Sequence, residues 1–243
     1  MKKAMYYILL VLCIGVFVYS AYRLGNYLHQ KHRSEAVVAD AAQYVTVSKG
    51  EAVEASEPTD RVRVDFEDLW KINGDVVAWL YGPDTPLNYP VVQADDNAYY
   101  LYRLLDGSWN NNGTPFLDCR NAPDFSDGNS VIYGHHMRSG DMFAYLVKYK
   151  EQSYYDAHPY FYLTTPTRNY RVDLFAGCVV EGDAEIYQGT EISPEYLSRC
   201  VESSTFRSDQ EINMDGLILT LSTCSYEFDN ARYVVLGALV PIS

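Results

Sequence analysis

Positive charge is scarce in this chain. Nineteen Lys and Arg stand against 32 Asp and Glu, giving a formal charge of −13 and a pI near 4.7. A phosphate backbone selects a basic surface, so this balance argues against nucleic acid as a partner and reads instead as the solvated face of a folded domain. Cysteine is scarce too, with Cys13, Cys119, Cys178, Cys200 and Cys224 the only five, and no CxxC pair among them. That spacing argues against a disulfide framework or a zinc ribbon. A pair among Cys119, Cys178 and Cys200 stays open, while Cys178 inside the apolar run 174–180 reads as a small buried hydrophobe. His29, His32 and His158 lack metal-ligand spacing, and nothing implies a metal or cofactor. Internal repeats and a βαβ rhythm are also missing.

What is present begins with residues 4–21, an uncharged apolar run of 18. As a helix it is about 27 Å long, enough for the hydrocarbon layer. Lys2 and Lys3 precede it and Arg23 follows, a weak bias toward a cytoplasmic N-terminus and an external remainder. The competing reading is a cleaved signal peptide. Val18-Tyr19-Ser20 is a poor cleavage site and the apolar run exceeds the usual 7–15 or so residues, so a retained single-pass membrane anchor is favoured. Residues 1–33 are therefore assigned to a cytoplasmic stub, the span and a juxtamembrane segment. Residues 34–60, rich in Ala, Val, Ser and Glu, read as a linker. Aromatic density rises near Phe66, so residues 61–243 are assigned to the folded domain.

Within that domain Asp65 can cap a short helix with Phe66, Leu69 and Trp70 on one face. Strands are expected over 76–80, 89–92, 114–117, 131–133, 160–165, 170–180, 217–221 and 232–240, and Pro194 opens a helix over 193–203. Eight short strands with inserted helices indicate a mostly β fold, a closed or nearly closed barrel rich in antiparallel pairs.

Three residue types carry candidate chemistry. Cys224 lies just past the alternating Leu217, Leu219 and Leu221, at a strand end. A free cysteine is only a few per cent thiolate at neutral pH, so a nucleophilic one needs a base or a cation nearby. His135 follows Gly134 at the end of another strand, and an imidazole can shuttle a proton near neutrality. His136 stands beside it, and the residues alone do not choose between the two. Arg232, eight positions after Cys224, offers a rigid fork of donors to a developing oxyanion.

Leu219-Thr220-Leu221-Ser222-Thr223-Cys224 with Arg232, and Tyr133-Gly134-His135-His136-Met137, resemble the active-site segments of sortases. Leu87-Asn88-Tyr89-Pro90-Val91-Val92-Gln93, Asp96-Asn97 with Tyr100-Leu101, Gly113-Thr114-Pro115-Phe116-Leu117-Asp118 before Arg120-Asn121, and Asp141-Met142-Phe143 extend the likeness to class B over roughly residues 66–240. The resemblance implies the eight-stranded sortase barrel preceded by N-terminal helices, with 193–203 as the helix before the cysteine strand. It implies His135, Cys224 and Arg232 as catalytic, with Asn97, Leu101 and Ser222 in the groove for the sorting signal. Cys119 departs from the family, standing where an aromatic is common, and the loop 225–231 is short.

The implied activity is transpeptidation at the outer membrane face of a Gram-positive cell. A surface protein bearing a C-terminal sorting signal is cleaved after Thr and joined to an amine of a lipid-linked peptidoglycan precursor. Alternatives are a surface cysteine protease, a pilin-polymerising sortase and a non-catalytic cell-wall binding module.

Overall fold

The computed structural model describes residues 2–48, 61–210, 213 and 216–242. Its first element, α1 (Lys2–Ala42), is one unbroken helix. Residues 3–29 are exposed along their whole length, which suits an apolar helix whose solvent is lipid. From Gln30 onward the helix packs on the domain, burying Ser34 and Ala41.

The expected linker therefore begins later than its composition indicates. Residues 34–42 continue α1, and β1 (Val45–Ser48) pairs antiparallel with β2 (Arg61–Val64). Ala36, Ala39, Ala41 and Ala42 supply the propensity that carries the helix on. Of the expected linker, 49–60 lies outside the described residues.

The Asp65 carboxylate accepts from the Asp68 amide and starts α2 (Phe66–Ile72), as expected. Phe66 and Leu69 are buried, and Trp70, its ring 6.0 Å from that of Phe66, lies at the rim of the same face. It is 43% exposed, and its Nε1 donates to the Val76 carbonyl at 2.9 Å.

Eight strands then close into a barrel: β3 (Val76–Tyr81), β4 (Asn88–Val92), β5 (Phe116–Leu117), β6 (Asn129–Tyr133), β7 (Tyr160–Thr164), β8 (Asn169–Glu181), β9 (Ile218–Cys224) and β10 (Ala231–Ile242). The order around it is β10-β8-β7-β3-β4-β5-β6-β9, and β9 pairs with β10 to close the circle. Closure removes the unpaired edges of an open sheet. Two pairs are parallel, β4 with β5 and β6 with β9; the others are antiparallel. Opposite Leu236 and Gly237 of the long strand β10, β8 carries one extra residue, Phe175, as a bulge, and a Cβ on Gly237 would meet Val172 Cγ1 at 2.5 Å.

Alternation along β9 and β10 sorts their side chains. Leu219, Leu221, Tyr233 and Val235 point into the barrel core with Leu80 and Leu163. Ile218, Val234 and Leu236 face outward and are covered by Leu197 and Cys200 of α4 (Pro194–Glu202). Ser193 caps α4 by accepting from the Tyr196 amide, an arrangement worth about 1 kcal/mol. The remaining helix is α3 (Gln152–Ala157), beside 3-10 turns at Tyr99–Tyr102, Phe143–Lys150 and Glu185–Tyr187. All five cysteines are free thiols, with Cys178 and Cys200 buried together beneath α4.

Candidate active site

The parallel pair β6–β9 fixes the site. Tyr133 lies opposite Ser222, and the Gly134 amide donates to the Ser222 carbonyl at 3.0 Å, so both strands end on the same side of the barrel. Cys224 closes β9 there, and its register partner on β10 is Arg232. Partners in register share a face, as do residues two apart in a strand. Tyr133, Ser222, Cys224 and Arg232 therefore all project from the outer wall, opposite to the core-facing leucines.

They border one cavity of about 310 Å³. His135, Asn97 and Leu101 line it too, so all six residues singled out in the sequence reach the same space. Phe116, Tyr187 and Gly182 complete much of the remaining wall.

Gly134 lets the histidine segment fold down tightly. A Cβ there would stand 2.5 Å from Phe143 Cγ, and the Phe143 amide donates to the His135 carbonyl. The His135 Nε2 is 2.7 Å from the Leu101 carbonyl. A carbonyl only accepts, so Nε2 carries the hydrogen and the neutral ring keeps its lone pair on Nδ1. His136 turns elsewhere. Its Nδ1 donates to the Cys224 backbone carbonyl at 2.8 Å and its ring packs on Tyr226. The two adjacent histidines thus divide into one that borders the cavity and one that braces the cysteine backbone.

Arg232 is half-buried, and its Nη1 donates to the Ala231 carbonyl at 3.0 Å. Among the described residues no carboxylate pairs with it, which leaves donors of the guanidinium free for an incoming oxygen. Ser222 Oγ is 2.8 Å from the Tyr187 hydroxyl, and the Tyr187 ring stacks on Tyr133. Burial raises the Tyr187 pKa, so it remains a neutral phenol although Arg232 pulls the other way.

A buried carboxylate organises one wall. Asp118 accepts from Arg120 Nε at 2.9 Å and Nη2 at 2.7 Å, from the Tyr133 hydroxyl at 2.8 Å and from Asn97 Nδ2 at 3.1 Å. Burial alone would raise its pKa; the hydrogen bonds from Arg120 and Tyr133 outweigh that and hold it down at about 2. The Cys119 amide donates to Asn97 Oδ1 at 2.8 Å, so both ends of the Asn97 amide are fixed. On the other side the loop after Cys224 is tied down by Glu227, which accepts from Lys150 and Ser225. Those hydrogen bonds pull the Glu227 pKa to about 2.

No cluster of metal-ligating side chains occurs among the described residues. What the cavity offers is a thiol, an imidazole and a guanidinium on one face, a set suited to acyl transfer through a covalent intermediate. Tyr187 was not singled out in the sequence. One tyrosine among 23, in a 3-10 turn far along the chain from the cysteine, carries no local signal of its place in the site.

The sequence profile of the sortase domain matches residues 80–240. Sortase B of Listeria monocytogenes is 33% identical over 240 residues, covering 96% of this chain and 95% of that protein. Among solved structures, Clostridium perfringens sortase B aligns with a TM-score of 0.67 and 31% identity, over 72% of this chain and 100% of the other. A sortase B complexed with triglycine aligns with a TM-score of 0.68 and 30% identity, over 73% and 86%. The chain belongs to the sortase family, the cysteine transpeptidases that attach surface proteins to peptidoglycan, and within it to class B.

Proposed function

We propose that this protein is a membrane-anchored transpeptidase in which Cys224 is the nucleophile, His135 the proton shuttle and Arg232 the oxyanion donor. The Cys224 thiol passes its proton to His135 as its sulfur attacks the carbonyl carbon of a threonine in the sorting motif of a surface protein, forming a C–S bond and a tetrahedral oxyanion beside Arg232. Collapse breaks the peptide C–N bond, His135 protonates the departing amine, and an acyl thioester remains. An amine of a lipid-linked peptidoglycan precursor then attacks the thioester, giving its proton to His135, and the new amide forms as the thiol is released. The triglycine held by the related sortase B supports a peptide amine as acceptor. Asn97, Leu101 and Ser222 are assigned to the groove that receives the sorting signal.

The N-terminus is assigned to the cytoplasm, with α1 spanning the membrane and residues 61–243 as the external catalytic unit. The observation that carries the reading is the convergence of Cys224, His135 and Arg232 on one cavity from three different strand ends.

The test incubates the full chain with a panel of sorting-motif peptides, with and without triglycine, and follows products by mass spectrometry beside Cys224→Ala. Ligated product that needs Cys224 is expected. Free acid alone, undiminished by the acceptor, would favour a protease, and no adduct on the wild-type thiol would sink the enzyme reading.

A further inference from the structure

Where the anchor meets the domain decides which part of the domain lies nearest the bilayer. Along α1 the first contact is at Gln30, whose carbonyl accepts from Asn110 Nδ2 at 2.9 Å and whose Oε1 accepts from the Asn111 amide at 3.2 Å. Further along, Lys31 meets Asp141 at 3.1 Å and Arg33 meets Asp106 at 2.6 Å. Of the regions docked on α1, the loop 106–112 is thus the one held closest to the span.

A span of about 20 residues starting at Ala4 ends near Arg23. Gln30, seven residues on, then stands about 10 Å above the hydrocarbon, and the headgroup layer fills about 5–7 Å of that rise. The gap left is within reach of one large side chain. In this loop Trp109 is 61% exposed and stacks at 6.5 Å on Tyr102, itself 48% exposed. Trp79, by contrast, is fully buried, and Trp70 has its indole N–H engaged by a backbone carbonyl. An exposed, amphipathic indole at this height matches the aromatic belts at membrane interfaces.

Charge agrees with that placement. On the domain side of the span, residues 22–34 hold Arg23, Lys31 and Arg33 and no Asp or Glu, although the whole chain carries −13. The one acid of the loop, Asp106, is neutralised by Arg33. Lys31 likewise offsets Asp141, so residues 22–34 and the loop 106–112 present no unpaired acid to repel anionic headgroups.

We infer that Trp109, backed by Tyr102, inserts into the headgroup layer of the bilayer that α1 crosses, so that the barrel sits on the membrane surface. The inference rests on α1 being a membrane span. Its consequence is local, because the Tyr102 ring lies 6.0 Å from His135 and the neighbouring Leu101 carbonyl holds that imidazole. The contact sets the height of the catalytic cavity at the level where a lipid-linked acceptor presents its amine.

The test reconstitutes the full chain into vesicles of phosphatidylcholine and phosphatidylglycerol, checks flotation, and then adds lipid carrying a nitroxide on its headgroup. Wild-type emission is expected to fall by a loss approaching the share carried by one of three tryptophans, and Trp109→Phe is expected to abolish that loss. Repeating residues 23–29 would lift the loop by about 10 Å with only about 20° of rotation, and is expected to abolish it as well. Vesicle-bound protein whose quenching is the same in wild type and Trp109→Phe would overturn the inference. Protein that fails to float would overturn the span beneath it.

Discussion

Asp118→Asn removes a structural carboxylate that holds Asn97 and Tyr133 at the wall of the cavity. Asp118 is 2% exposed and titrates at about 2, against about 3.9 for an unfolded aspartate. The difference corresponds to about 2.5 kcal/mol of native-state stability, trimmed to about 2 kcal/mol because Arg120 is half-exposed and its pairing is screened. The depressed pKa fixes the sign: the contribution is complete above the unfolded value near 4 and disappears as pH falls through about 2. Urea unfolding of the full chain in detergent micelles, followed by the emission of buried Trp79, measures it at pH 7 and at pH 3. Asp118→Asn is expected to be less stable by about 2 kcal/mol at pH 7, with the gap narrowing at pH 3. Asn97 and Tyr133 lose an anionic acceptor in the same variant, so KM for the sorting peptide should rise more than kcat falls. A stability gap below about 0.5 kcal/mol, or one that does not change with pH, would refute the assigned charge pairing.

The two histidines should separate in single-turnover acylation. His135→Ala is expected to slow it by about 10²- to 10⁴-fold, as for loss of a proton shuttle, whereas His136→Ala loses one hydrogen bond to a backbone carbonyl and should cost no more than about tenfold. Equal losses would contradict the division between cavity and brace. Gly134→Ala forces a methyl against Phe143 and should lower stability by about 1–3 kcal/mol in a thermal melt; an unchanged melt would show that the close approach is not needed.

Features written in local chemistry were legible in the sequence. Ser193 with Pro194 marked the start of α4, Asp65 marked that of α2, and the alternating leucines before Cys224 marked a strand with its cysteine at the end. Composition misled where the same residues serve two states: the alanines of 36–42 read as linker, yet they continue a helix once Gln30 and Arg33 dock it on the domain. The strand β1 was hidden for a related reason, since four residues pairing with Arg61–Val64 alternate too briefly to stand out from their surroundings. In the site, Cys224, Arg232 and the His135-His136 pair were conspicuous at strand ends, while the choice of His135 over His136 came from the sortase resemblance alone. Asp118 was visible only within a motif and Tyr187 not at all, because their importance lies in hydrogen bonds to Tyr133 and Ser222, residues distant in the chain.

The parallel pairing of β6 with β9 also dictates when this protein can become reactive. His136 and Cys224 are 88 positions apart, and Arg232 arrives later still on the last strand. Contacts of such long range form late, after local structure has condensed. On the proposed roles and topology, a chain still emerging across the membrane would hold the His135 imidazole and lack the Cys224 thiol, and so could not yet attack the unfolded polypeptides beside it. Under that assignment, chemical competence waits for the arrival of the final two strands.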